Sequence, residues 1–350
     1  MKKSLFLWMM LVVLAFVLTA TLPLLGGSKE KGKPNEINLL IFEGYGEPDW
    51  VDPFIEETGA QVNITNATSV DEIFSKMVAD GGKGFDLVTI DTSLFQRYYD
   101  KDLMLPINLD NIPRYRTDVL PEFHDLKETT FDGQQFGVPY AWGTIPLFYD
   151  ADVIPREPDS WGLMMDPRYK GKVVLLDEPQ NTMVTMALYL GGFRDLWNFS
   201  ESDYDRLKEG FLAVAPQLRT LTTGATDEIN LLANKEVVLG MAFGEQTGFV
   251  ANQKGLNVQM TIPKEGGIGW LDCWIISAGS QNKELAEQWI NHAIRKDYNR
   301  MMAETIGYPG CSNPPEGIDY VMERIVWLQP RGDYQMLTEK WSEIKLLMGQ

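Results

Sequence analysis

The stretch Trp270-Leu271-Asp272-Cys273-Trp274 sets an indole and a carboxylate two positions apart. On an extended strand such positions share one face, so Trp270 and Asp272 are presented together. That pairing suits an ammonium ligand: the carboxylate gives it a charge-assisted hydrogen bond, and the aromatic face adds a cation–π attraction of about 0.5–2 kcal/mol. A core tryptophan beside a turn-capping aspartate would use the same residues with no ligand at all. Three other places carry acids near strand ends. Glu245 follows the apolar run Val237–Phe243 and is expected to be half-exposed, as an extra ligand carboxylate or as a solvated loop residue. In Glu43-Gly44-Tyr45-Gly46-Glu47 two acids flank an aromatic ring. In Asp91-Thr92-Ser93, Asp91 either adds carboxylate character to a site or caps a helix starting at Ser93. The number of acids that converge separates the ligand classes. Two acids at opposite ends suit a diamine, and one acid in an aromatic cage suits a monocation.

Other chemistries lack their residues. Two cysteines, Cys273 and Cys311, cannot make a zinc cluster or a disulfide framework, and two histidines, His124 and His292, are too scattered for a triad or a metal site. There is no Gly-x-Ser-x-Gly elbow. Gly81-Gly82-Lys83-Gly84 is neither a phosphate loop nor a dinucleotide fingerprint and reads as a helix stop. Nothing in the spacing of the many acids marks two of them as the acid/base pair of a secreted hydrolase, which stays as the enzymatic alternative. The net charge of −18 and the absence of a basic run exclude a grip on nucleic acid phosphates.

At 350 residues the chain exceeds one comfortable core, which predicts two domains or lobes. Lys2 and Lys3 precede a charge-free run from Ser4 to Ser28 that is apolar through Leu5–Leu18. This is the pattern of a secretory signal, or of an uncleaved anchor, since about 20 apolar residues span a bilayer. No cysteine follows it, so the expected product is exported and not a lipoprotein. Residues 29–35 read as a linker. Strands are expected at Ile37–Phe42, Gln61–Ile64 and Phe85–Ile90, with helices near Trp50–Thr58 and Asp71–Asp80 between them, an alternation that predicts an α/β lobe with a largely parallel sheet. Ligands of such sheets sit beyond the carboxyl ends of the strands, which makes Glu43–Glu47 and Asp91–Ser93 candidate site walls. Further on, strands are expected at Phe136–Gly143, Leu147–Tyr149, Val173–Leu176, Val237–Phe243, Val258–Ile262 and Gly269–Ile276. Helices are expected near Asn181–Leu190, Asp203–Val214, Thr226–Asn234, Lys283–Arg295, Tyr298–Thr305 and Met336–Leu347.

Several segments, in order along residues 36–347, resemble the spermidine/putrescine-type periplasmic binding proteins of ABC importers. They include Asp86-Leu87-Val88, Val138-Pro139-Tyr140-Ala141-Trp142-Gly143, Ser160-Trp161 with Tyr169-Lys170-Gly171, and Gly240-Met241. Pro263-Lys264-Glu265-Gly266-Gly267-Ile268 with Trp270 and Asp272, and Ala303-Glu304-Thr305-Ile306-Gly307-Tyr308-Pro309, complete the set. The resemblance implies a type II-like fold of two α/β lobes with a ligand cleft between them. Residues 36–140 with about 265–310 would form one lobe, and 141–264 with about 311–350 the other. Strands crossing near Pro139–Gly143 and Pro263–Asp272 would act as the hinge.

The same resemblance puts Trp270 and Asp272 in the cleft, with Phe243 at the position of a cleft aromatic. Thr182 stands where an acid is usual after the strand Val173–Leu176, and Gln329 corresponds to an amide from the C-terminal segment. Tyr45, Glu43, Asp91, Ser93 and Glu245 complete the expected ligand set, Tyr45 and Trp270 forming aromatic walls from opposite lobes. The implied activity is capture of a small cationic amine by a monomer that closes on it and meets a membrane permease, with no cofactor. Another amine, such as an amino-acid derivative or a quaternary ammonium compound, is the alternative ligand. Cys273 and Cys311 either form a disulfide or remain separate thiols.

Overall fold

The computed structural model describes residues 35–42, 44–67, 69–312, 322–330 and 332–350; the apolar N-terminal segment and Glu43 lie outside them. Strands β1 (Glu36–Phe42), β2 (Gln61–Ala67), β3 (Leu87–Asp91) and β4 (Met104–Leu105) open the chain, followed by the small hairpin β5 (Thr130–Phe131) and β6 (Gln134–Gln135) and by β7 (Gly137–Ile145). Next come β8 (Leu147–Asp150), β9 (Val173–Leu176), β10 (Leu218–Thr222), β11 (Leu239–Met241) and β12 (Val258–Thr261). The long β13 (Gly267–Ser277) and the short β14 (Ile325–Trp327) complete the set. They make two main sheets. The first has the order β14-β13-β3-β1-β2, with β4 and β7 also paired to β13; the second has the order β10-β9-β11-β8-β12.

Each sheet follows from its sequence. Residues Ile37, Leu39, Leu40 and Ile41 of β1 are all fully buried, as a central parallel strand covered on both faces requires. The helices Pro48–Thr58 and Val70–Asp80 are its crossovers. The second begins at Ser69, whose hydroxyl accepts the Glu72 N–H, and stops at Gly81 in the left-handed region (φ 68°), so the glycine run there is a helix terminator. β9 and its neighbours β10 and β11 are likewise parallel, with β8 and β12 antiparallel at the edge. The expected strand Val237–Phe243 contributes only Leu239–Met241 to the ladder, because β8 and β9 are short.

Each lobe has its own apolar core. The chain passes between the sheets at Pro146, linking β7 to β8, and again through 262–266, linking β12 to β13. The expected crossing at Pro139–Gly143 is displaced. β7 stays in the first sheet through Ile145, which still pairs with Ile268, so the change of sheet falls at the next residue. The C-terminal part divides: β14 pairs with β13 in the first sheet, whereas Leu337, Trp341 and Ile344 of the helix Tyr334–Met348 pack into the second core.

Cys273 and Cys311 are buried free thiols. Cys273 faces Pro139 across one edge of β7, and the Cys311 N–H donates to the Tyr140 carbonyl on the other edge. With β7 between them their Cα atoms stand about two strand spacings, ~9–10 Å, apart, beyond the ~7 Å that a disulfide spans.

Candidate functional site

The antiparallel ladder of β7 and β13 carries the Trp270–Asp272 pair. Trp270 stands opposite Gly143 and Asp272 opposite Ala141, so the two side chains project from the same face. Gly143 is what lets the indole lie down on that face. A Cβ there would come within 2.4 Å of Trp270 Cζ2 and 2.5 Å of Glu245 Oε2. Trp270 packs against the cores of both lobes, and its ring meets Tyr308 edge to face at 5.1 Å between centroids.

Asp272 is 6% exposed, and its Oδ2 accepts the Tyr45 hydroxyl at 2.8 Å. Among the described residues no lysine or arginine pairs with it. Burial pushes its carboxyl up to about 8, helped by the Asp91 carboxylate directly across on β3 and opposed by the Tyr45 hydrogen bond. Tyr45 corrects an expectation. It comes from the loop after β1, in the same lobe as β13, and is buried edge to face against Phe42 and Tyr140. It is a support beneath Asp272 and not a wall from the opposite lobe; burial, then Asp272, raises its hydroxyl far above the usual range.

Glu245 is also corrected, from half-exposed to 2% exposed. It starts the helix Glu245–Gln253, which packs on β7 so that Oε1 accepts both the Thr144 N–H at 2.8 Å and the Thr144 hydroxyl at 2.7 Å. Asp91 caps the short turn Thr92–Leu94. Its Oδ1 accepts the Ser93 N–H at 2.8 Å and its Oδ2 the Leu271 N–H at 3.1 Å, which ties β3 to the strand that bears Asp272. Ser93 is buried beside it.

Phe243 lies exposed at the end of β11, two residues before Glu245. Thr182 is not brought to this group. Its hydroxyl donates to the Leu176 carbonyl at 2.8 Å inside the second lobe, where it lines a small internal space with Trp161, Met186 and Phe211. Gln329 donates its amide to the Trp327 carbonyl and accepts from Gln180 through its own carbonyl. Glu43 lies outside the described residues.

Two residues were missed. Tyr308 follows the left-handed cap Gly307 at the end of the helix Lys296–Ile306, and burial, then Glu245 and Asp272, raises its hydroxyl. Its signal in the sequence is its place in the segment Ala303-Glu304-Thr305-Ile306-Gly307-Tyr308-Pro309. Glu228 is fully buried. It accepts the Phe243 N–H through both oxygens at 3.1 Å, the Thr247 hydroxyl at 2.6 Å and the Thr222 hydroxyl at 3.3 Å. Burial raises its carboxyl to about 8 in spite of these bonds. The helical spacing of Ala225, Glu228, Ile229 and Leu232 puts this acid on the buried face, a pattern readable without the structure.

The chain matches the family described as bacterial extracellular solute-binding protein over residues 49–314. It is similar to the spermidine/putrescine-binding periplasmic protein of Escherichia coli, with 30% identity over 281 residues covering 78% of this chain and 77% of that one. It is also similar to the putrescine-binding periplasmic protein PotF of the same organism, with 25% identity over 293 residues covering 79% and 78%. Its fold is similar to that of the spermidine/putrescine ABC transporter substrate-binding protein PotD from Streptococcus pneumoniae, with a TM-score of 0.76 and 19% identity over 90% of this chain and 98% of that one. Two α/β lobes joined by crossing strands, and a match that covers most of the chain, make it a member of the bacterial extracellular solute-binding proteins.

Proposed function

We propose that the chain captures a small cationic amine of the polyamine class outside the cytoplasm and delivers it to a membrane permease of an ABC importer. The observation that carries this reading is the buried Asp272 carboxylate, held by Tyr45 on one oxygen, beside the Trp270–Tyr308 aromatic pair. No lysine or arginine among the described residues pairs with it, and an ammonium ligand would favour its ionised form. The relatives named for spermidine and putrescine support the choice of amine. The protein's role is binding, not catalysis. Ligand entry needs the lobes to part, and the two connections at Pro146 and 262–266 are short enough to act as hinges.

Calorimetry with spermidine, putrescine, a betaine, a sulfonate and a neutral sugar tests the reading. Binding of either polyamine, with the sulfonate and the sugar silent, is the expected result. Binding of the sugar or the sulfonate with no response to any amine overturns the amine assignment and leaves the family membership standing.

A further inference from the structure

The helix Glu245–Gln253 begins without a side-chain cap of its own. Its N-cap residue is Gly244, which lies so close to Tyr308 that a Cβ there would come within 3.0 Å of the ring. Glu228, on the helix Ala225–Ala233, fixes this start from behind. Its carboxyl group takes the Phe243 N–H on both oxygens at 3.1 Å, the Thr247 hydroxyl in the first turn of the helix at 2.6 Å, and the Thr222 hydroxyl at the end of β10 at 3.3 Å. One side chain, 0% exposed, thus joins β10, the residue that leaves β11, and the helix after it.

The turn that Glu228 holds is anchored on both sides of Phe243. The Ala242 N–H donates to the Pro146 carbonyl at the crossing between the sheets, at 2.9 Å. Gly244 lies against Tyr308, and Glu245 reaches Thr144 and the rung formed by Gly143 and Trp270. Phe243 itself is 38% exposed. Its N–H falls beyond the last rung of β11, which pairs through Met241, so the sheet offers that amide no partner. Glu228 supplies the partner that the sheet does not, and an amide left unpaired there would weaken the fold. An exposed ring on a firmly held backbone is the arrangement a preorganised binding wall requires.

We propose that Glu228 is a positioning residue for amine capture: touching no ligand itself, it fixes the turn Phe243–Glu245 and so holds the Phe243 ring in place beside the Trp270–Tyr308 pair. This rests on the amine reading above and deepens it. The gain is preorganisation, since a turn free to move would have to be ordered at each binding event, which lowers affinity. At neutral pH the Glu228 carboxyl holds its proton. Glutamine is then a close substitute: its carbonyl takes the Phe243 N–H, and its amide nitrogen faces the threonine hydroxyls. Leucine leaves the Phe243 N–H and both hydroxyls without this partner.

Calorimetry with putrescine on Glu228→Leu, Phe243→Ala and the double variant tests the coupling. Glu228→Leu should weaken binding by about tenfold, and Glu228→Gln should recover most of that loss. In the Phe243→Ala background Glu228→Leu should cost less than about threefold, because the ring that Glu228 positions is gone. A second readout needs no ligand. With para-fluorophenylalanine at position 243, a single sharp fluorine NMR line is expected when Glu228 is present, and a broadened or split line in Glu228→Leu. Melting curves establish that Glu228→Leu folds; if it does not, Thr247→Val, which removes one bond of the network, takes its place in both measurements. Equal losses in the two backgrounds, or a fluorine line that the substitution leaves unchanged, overturn the assignment and leave Glu228 a purely structural acid. Failure of the wild type to bind any amine overturns the amine reading instead, and the fluorine line still decides whether Glu228 fixes the turn.

Discussion

Asp272 carries a proton in the empty protein at neutral pH, because burial and the facing Asp91 hold its carboxyl at about 8. An ammonium favours the ionised form, so binding below that pH expels the proton. The cost of ionising Asp272 falls as the pH approaches 8, and the affinity for an amine should rise by up to about tenfold per pH unit between about pH 6 and pH 8. Calorimetry in buffers of different ionisation enthalpy should register close to one proton released at the lower end. Asp272→Asn should remove both the release and the pH dependence, and should weaken binding by about 2–5 kcal/mol, as truncating a buried charged pair does. An affinity that stays flat from about pH 6 to pH 8 would exclude Asp272 as the ammonium partner.

At the scale of elements, the site depends on how closely β7, β13 and the helix Glu245–Gln253 approach one another. Gly143 sits at that meeting point, with Trp270 and Glu245 on either side of the space a Cβ would take. Both neighbours are held, Trp270 by Tyr308 and Glu245 by Thr144, so neither yields freely. Gly143→Ala should cost about 1–3 kcal/mol by overpacking and should weaken amine binding as well. Denaturant unfolding and calorimetry measure the two effects, and a variant with wild-type stability and affinity contradicts this packing. Local periodicity was legible from the sequence. The alternation in β13 placed Trp270 and Asp272 on one face, and strand–helix alternation indicated parallel sheets. Contacts set by non-local register were not legible. Nothing near Glu245 in sequence announces that Thr144, on the strand that ends at the crossing, will bury it. Tyr45 looked like a wall because its partner Asp272 is 227 positions away. Thr182 sits on a helix whose first turns are buried nearly all round, so no polar face distinguished an inward from a cleft-facing position.

Across the whole molecule, the two carboxyls raised to about 8, Asp272 and Glu228, set how stability responds to pH. Each keeps its proton in the folded state up to about pH 8 but loses it near 4 in the unfolded chain, so the folded state binds more protons in between and stability falls as pH rises. Buried His292 works in the opposite sense below its ordinary value of 6.5, because its folded form resists protonation. From about pH 6.5 to pH 8 the two carboxyls therefore act alone among these groups, each with a slope of about 1.4 kcal/mol per pH unit. Glu228→Gln is neutral at every pH, keeps an acceptor for the Phe243 N–H, and should lose about half of that decline, so the variant gains on the wild type as pH rises. Saturating putrescine holds Asp272 ionised and should cancel its share in the same window, leaving the slope of Glu228. Urea unfolding of wild type and Glu228→Gln at about pH 6.5 and pH 8, with and without putrescine, separates the two carboxyls: one slope is removed by mutation in the second lobe, the other by ligand at β13. A decline untouched by either change would mean that neither carboxyl is held protonated by the fold.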